Sequence, residues 1–377
     1  MFVLFLESLH VYFFWSIPYI TPGILSIFAV LFLFKNSDYF SFSKQNIIPF
    51  VLFFATLLYT KREQNLNGFI GGILPFISLF LIFSLKPVYK ARFLETVTKT
   101  LSVILAISLI AWIIVILGVN LPHTDLFYKS GDKVYTLNCY YVFIEYTSGT
   151  IVFQRFMSIF IEPGYLAALL AILIYINNFQ LRRKEILILL LALIFTFSLA
   201  GYFLLAVAYI SYLLRNKKQA IRYLLFSVII LTLSYNLTIR TNSGNNMFNE
   251  LVLQRLIVND EGRLSGYNRT NEKMDLMFLD FLKSKDVLTG IGNRYIQFGG
   301  NVGYKPYIII NGIIGLFLLL LSYLSGWVYN KRFFSLTISV LFIMIFSKGH
   351  SEILWAGYLM VYGTSMYLPE NWRTEYI

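Results

Sequence analysis

The sequence predicts an all-α integral membrane protein in which about twelve transmembrane helices form a single polytopic domain over residues 1–377. Of 377 residues, 58% are hydrophobic and 13% charged, against about a quarter charged in a soluble domain, so most of the chain faces something other than water. Apolar stretches of spanning length then recur along the whole chain, each matched to a hydrocarbon core about 30 Å thick. The mean hydropathy of +0.68 agrees.

The candidate spans are 1–15, 18–34, 47–60, 68–85, 100–119, 156–176, 186–200, 201–214, 222–237, 304–328, 333–347 and 353–368. The first is short and apolar like a secretory leader, but Glu7 and His10 interrupt it and no small-x-small cleavage site follows. It is expected to stay as a helix. Residues 186–214 admit either one long helix or a hairpin about Ala200 and Gly201, and the basic residues decide between the two. Short basic connections lie at Lys86, Lys90, Arg92 and Lys99, at Arg182, Arg183 and Lys184, at Arg215, Lys217, Lys218 and Arg222, and at Lys331 and Arg332. The positive-inside rule puts all four groups in the cytoplasm, so the chain between the second and third must cross twice. Carried in both directions, this alternation leaves both termini cytoplasmic and two long segments, 120–155 and 238–303, on the outer side.

The net charge of +12 belongs mostly to the inner-face lysines and arginines, which meet anionic lipid, and it is no argument for nucleic acid. Cys139 is the single cysteine, which excludes an internal disulfide and a multi-cysteine metal site. His10, His123 and His350 are scattered, so a histidine-rich metal site is not expected, and neither is a cofactor. GxxxxGK, HExxH and GxSxG motifs are absent, and the glycine cluster GIGNRYIQFGG does not follow a strand.

Three clusters can carry chemistry. The second outer segment holds Arg240, Arg255, Arg263, Arg269 and Arg294, and arginine's planar fork suits paired phosphate oxygens. The plain alternative is surface pairing with Asp260, Glu261, Glu272, Asp275 and Asp280. In QRFMSIFIEPGYLAALLAI, Arg155 borders a predicted helix and Glu162 sits two turns in, before Pro163 and Gly164. A carboxylate at that depth is costly unless paired, so it is either functional or half of an ion pair with Arg155 that holds a Pro-Gly break. In SKGHSEILW, Lys348, His350 and Glu352 share a tight outer turn, where histidine and glutamate can take a proton from a hydroxyl near neutral pH. A solvated hairpin turn is the alternative there.

These features occur in a recognisable order: a basic residue and EPG entering a mid-chain helix, TFSLAG at 196–201, an arginine-bearing outer segment ending in DVLTGIGN, and a late KGHSE turn. Together they resemble the bacterial O-antigen polymerase (Wzy-type) and O-antigen ligase superfamily. Arg255 and Gly266 fit the arginine, ten residues, glycine spacing of polymerase outer loops, while His350-Ser351 with Leu354 resembles the ligase histidine turn. The chain departs from the pattern at Ser198-Leu199-Ala200, where the commoner SRG has an arginine, and the first outer segment carries no second arginine-x10-glycine match.

The resemblance implies a multi-pass protein of the bacterial inner membrane whose outer segments are periplasmic loops and whose donor is an undecaprenyl-pyrophosphate-linked oligosaccharide. The implied reaction is an inverting displacement at the anomeric carbon, with a hydroxyl of a second lipid-linked repeat unit as nucleophile. Such a reaction needs cations for the departing pyrophosphate and a base for the acceptor. Arg155, Arg255 and Arg269 are the expected pyrophosphate ligands, with Arg263, Arg294 and Lys348 as further glycan or phosphate contacts. His350 is the preferred base, Glu162 the second, and Glu352 the residue that orients the histidine. Tyr267, Tyr295 and Tyr304 are candidates to stack on sugar faces. A ligase acting on lipid A core is the near alternative, a flippase or other transporter the distant one, and a separate chain-length regulator remains open as a partner.

Overall fold

A computed structural model describes residues 5–6, 9, 11–15, 27–28, 31, 35, 37–41, 44–63, 66–130, 133–147, 154–215, 232, 235–246, 248–258, 272–292, 304–329 and 377. The described residues are mostly helical: α1 (Lys44–Thr60), α2 (Leu66–Ser84), α3 (Pro87–Ile116), α4 (Pro163–Ile176), α5 (Lys184–Phe195), α6 (Leu199–Arg215), α7 (Glu272–Leu282) and α8 (Tyr304–Tyr329). Between α3 and α4 lie three strands, β1 (Thr124–Ser130), β2 (Lys133–Cys139) and β3 (Ile144–Tyr146), in one antiparallel sheet of order β1-β2-β3. The expectation of an all-helical chain is corrected here. Strand formers cluster in TDLFYKS and KVYTLNC, and only Gly131 and Asp132 separate the paired Ser130 and Lys133, a spacing that suits a two-residue hairpin.

Two of these helices are long and apolar enough to cross a membrane, Pro87–Ile116 and Tyr304–Ser325. Their 30 and 22 residues correspond to about 45 and about 33 Å of helix. Shorter apolar helices run over Ile47–Thr60, Pro163–Ile176 and Leu199–Ile210. The expected twelve spans are therefore not met by helix length among the described residues. The candidates at 18–34, 222–237, 333–347 and 353–368 lie largely or wholly outside them, and of the first candidate Tyr12–Phe14 is a 3-10 turn.

Contacts divide the chain into one unit of residues 1–10, 14–97 and 268–377 and a second of 11–13 and 98–267. In the first unit α1 packs on α2 and α8. Phe50 meets Phe80 edge-on at 5.1 Å, Phe53 meets Tyr323 at 5.1 Å, and the buried Thr56 and Ser322 hydroxyls satisfy each other at 2.7 Å. α8 is broken at Gly312, whose φ of 68° and ψ of −175° are open to glycine alone. Residues 288–291 fill the break: the Ile314 amide donates to the Leu288 carbonyl at 3.0 Å and the Ile291 amide to the Ile309 carbonyl at 2.9 Å. Backbone groups freed by the break are thus repaired by the DVLTGIGN element.

Two boundaries differ from the sequence expectation for physical reasons. The basic stretch 86–99, expected as a cytoplasmic connection, is mostly the first turns of α3, and Lys90 is only 1% exposed. Apolar residues at Ala91, Leu94 and Val97 give that stretch a buried stripe that its charges mask in a hydropathy reading. The helix expected from 156 begins instead at Pro163, since proline at the first helical position has no amide to orphan and a preset φ.

In the second unit α4 packs against α5 and α6, with every residue from Leu166 to Ile176 buried. The expected division of 186–214 is present, three residues earlier than Ala200: α5 ends at Phe195, Phe197 takes a left-handed φ of 46°, and α6 starts at Leu199. The Tyr202 hydroxyl donates back to the Ile194 carbonyl, a reach that an unbroken helix would not allow. Gly201 lets α6 approach α4, because a Cβ there would fall inside contact distance of the Ala167 methyl.

Candidate functional site

The second unit brings together Glu162, Arg155 and the last strand of the sheet. Glu162 occupies the N-cap of α4 in extended conformation, and its side chain makes no capping hydrogen bond. Before it, residues 154–161 run across the end of α5. The Phe156 amide donates to the Phe195 carbonyl at 3.0 Å, and Arg155 Nε donates to the Thr196 carbonyl at 2.9 Å. Ser158, at a φ of 50°, turns the segment; its hydroxyl donates to Ser108 on α3 at 2.9 Å and its carbonyl accepts from the Ile144 amide at 2.9 Å.

Tyr146 joins the two charged residues. Its hydroxyl donates to the carbonyl of Ile161, the residue before Glu162, at 2.9 Å. Its own carbonyl accepts from Gln154 Nε2, next to Arg155, at 3.1 Å. Burial, reinforced by the nearby Glu162 charge and then by Tyr135 and Tyr128, pushes the Tyr146 phenol up to about 12, and Arg155 opposes the shift. Tyr146 is therefore a neutral hydrogen-bond donor at any physiological pH. TFSLAG takes part from below: Thr196 accepts from Arg155, the Ser198 hydroxyl accepts from the Gly201 amide at 3.3 Å, and Gly201 seats α6 on α4.

Arg255 lies on a 3-10 turn, Gln254–Leu256, after a turn over Asn249–Leu253 whose Leu251 and Val252 are buried. Tyr304, expected to stack on sugar, sets its ring edge against Phe278 at 5.9 Å and so helps seat α7 on α8. Asp275, expected to pair with an arginine of the outer segment, pairs with Lys305 at 2.6 Å. Arg263, Tyr267, Arg269, Arg294, Tyr295, Lys348, His350 and Glu352 lie outside the described residues. Among the described residues no group of histidine, cysteine or acidic side chains is arranged to hold a metal ion.

The sequence reading passed over Glu145. It is 5% exposed on β3, opposite Asn138, and accepts the Tyr140 hydroxyl at 3.1 Å. Tyr140 stacks on Phe143 at 4.5 Å, and the His123 ring lies tilted 5.1 Å from it. Burial raises the Glu145 carboxyl above its ordinary 4.5, and hydrogen bonds from Tyr140 and Asn138 with the His123 charge pull it partly back. The folded carboxyl thus holds its proton more tightly than the unfolded one, so stability is greatest where Glu145 is protonated and falls as pH rises from 4.5 through the raised value. Glu145→Gln keeps an acceptor for Tyr140 and removes the titration. It is expected to raise the melting temperature at about pH 7 and leave it unchanged at about pH 4. Equal melting shifts at both pH values would show that the charge is not what Glu145 contributes.

Comparisons with protein-family models, with curated proteins and with solved structures give no significant match to this chain.

Proposed function

We propose that this chain is a multi-pass membrane enzyme that joins undecaprenyl-pyrophosphate-linked repeat units into polysaccharide on the outer face of a bacterial inner membrane. The observation that carries the reading is the position of Tyr146, bonded to the neighbours of Glu162 and Arg155 and within the electrostatic reach of both: a cation, a neutral phenol and a carboxylate about the start of α4. The reaction needs those three kinds of group. The acceptor hydroxyl oxygen attacks the anomeric carbon and loses its proton to a base as the bond from that carbon to the pyrophosphate oxygen breaks. Arg155, with Arg255 and Arg269 of the second outer segment, steadies the departing pyrophosphate, and Arg263, Arg294 and Lys348 add contacts to the glycan or its phosphates. His350, oriented by Glu352, is the base the sequence favours, and Glu162 is its rival.

Membrane residence is supported by helices that are apolar on two sides. α3 buries Leu101, Leu105, Ser108 and Trp112 on one side and exposes Val103, Ile107 and Ile110 on another, with Ile110 62% exposed. α8 likewise exposes Ile313, Phe317 at 58% and Leu321. Such stripes suit lipid and not water. About twelve spans, cytoplasmic termini and outer segments at 120–155 and 238–303 complete the proposal.

One feature favours a carrier instead: α8 is discontinuous inside a candidate span, as helices at transporter sites often are. A ligase shares the same donor chemistry. Deleting the gene in the host, displaying its surface glycan by size and locating its lipid-linked glycan separates all three. Loss of a polymerase leaves single repeats on the lipid anchor; loss of a ligase leaves no glycan there and lipid-linked polymer on the outer face; loss of a flippase leaves no glycan there and lipid-linked repeats on the inner face. Reporter fusions at Lys133 and Asn271 must also read as periplasmic; a cytoplasmic signal at either overturns the site.

A further inference from the structure

The hairpin places three tyrosines in a row on one face of the sheet. Tyr128 and Tyr135 are direct cross-strand partners with ring centroids 6.5 Å apart, and Tyr135 reaches Tyr146 diagonally at 5.9 Å. Leu137, Cys139 and Ile144 continue the same face and are buried, whereas the three tyrosines beyond them are only half-buried. The row therefore runs across the sheet from Tyr128 on β1 to Tyr146 on β3, whose hydroxyl and carbonyl are tied to the residues flanking Glu162 and Arg155. The opposite face differs in kind: it carries Phe127, Val134 and Thr136, with Phe127 and Val134 exposed.

We infer that the Tyr128–Tyr135–Tyr146 face is a glycan-binding platform that leads a sugar chain to Arg155 and Glu162. A pyranose offers an apolar C–H face and a rim of hydroxyls. A tyrosine offers the matching pair, an apolar ring face and a polar tip, and a row of them grips successive sugars without fixing their identity. Gln154, Arg155 and Glu162 supply amide, guanidinium and carboxylate partners for hydroxyls where the row ends. An acyl chain would have no use for three phenolic oxygens and a carboxylate, and it would be better served by the Phe127 and Val134 face. The choice of ligand rests on the proposed transferase reading, since that reaction presents an oligosaccharide to this side of the chain.

The test uses the full chain in lipid nanodiscs. The probe is oligosaccharide of two to four repeat units released by mild acid from the surface glycan of the host, followed by saturation-transfer NMR and by titration. Sugar ring protons are expected to receive saturation from the unaltered protein. Tyr135→Ala and Tyr128→Ala are each expected to weaken binding about tenfold, Tyr135→Phe to retain most of it, and Phe127→Ala to change nothing. Amide protection in the sheet shows whether each variant keeps its hairpin, and Tyr135→Leu, which preserves bulk without aromaticity, should weaken binding like alanine. Unaltered affinity in Tyr135→Leu and Tyr128→Ala with the hairpin intact overturns the platform, as does an absence of saturation transfer to the unaltered protein at millimolar probe. A surface-glycan ladder untouched by gene deletion would instead remove the transferase reading and leave the binding result standing.

Discussion

Replacing Gly312 by alanine is expected to cost about 4 kcal/mol or more, enough to unfold a large share of the protein. Two effects act together. The backbone at 312 lies where side chains are excluded, which alone costs on the order of 1–3 kcal/mol, and an added Cβ would land on the Leu288 carbonyl oxygen. That oxygen cannot retreat freely, because it accepts the Ile314 amide at 3.0 Å. Alanine also favours the unbroken helix, and a straight α8 has no place for residues 288–291. The variant must therefore choose between a strained break and an expelled loop. Abundance after mild solubilisation and the midpoint of thermal unfolding measure the cost. A Gly312→Ala protein that melts within a few degrees of the unaltered chain would show that residues 288–291 do not sit in α8.

Glu162→Gln is expected to lower chain extension by about 10²–10⁴-fold if the carboxylate takes the acceptor's proton, while sparing the fold. Its side chain caps nothing, so the amide forfeits only the favourable placement of a negative charge at a helix N-terminus, about 0.3–1 kcal/mol. A structural ion pair with Arg155 predicts the reverse, a fall in abundance with little loss of activity per molecule, because the half-buried guanidinium would lose its counter-charge. His350→Gln is the companion measurement. An amide can hydrogen-bond but cannot accept the proton, so normal-length polymer from His350→Gln beside a stable, inactive Glu162→Gln makes Glu162 the base. Normal polymer from Glu162→Gln removes it from the reaction.

Where apolar runs are long and uninterrupted, as at 47–60, 68–85 and 304–328, the helices stand within a few residues of their expected ends. The signals that mislead are local ones. Pro163, which reads in the sequence as a break within a helix, marks the start of α4; the charges of 86–99 hide a helix face in which Lys90 is buried. The sheet is legible in the strand formers that flank Gly131 and Asp132, and with it the pairing of Tyr128 with Tyr135. Three other features were beyond a linear reading. The break at Gly312 depends on a loop some twenty residues upstream supplying a carbonyl, the burial of Glu145 depends on what covers the sheet, and the link between Arg155 and Glu162 runs through a strand that neither belongs to. Arg155, Glu162 and TFSLAG were singled out by residue type and order, and they converge because α4, α5 and α6 pack on one another.

Cys139 gives the sheet a built-in clock. Its thiol is 5% exposed on β2, beside Tyr12 and between paired neighbours on β1 and β3. A water-soluble maleimide can reach it only while this face of the sheet is uncovered, so the labelling rate of the folded chain counts those openings directly. With no second cysteine in the sequence, the count needs no engineered background. An occupant that spans the hairpin would slow the clock, and a substitution that loosens it would make it run fast.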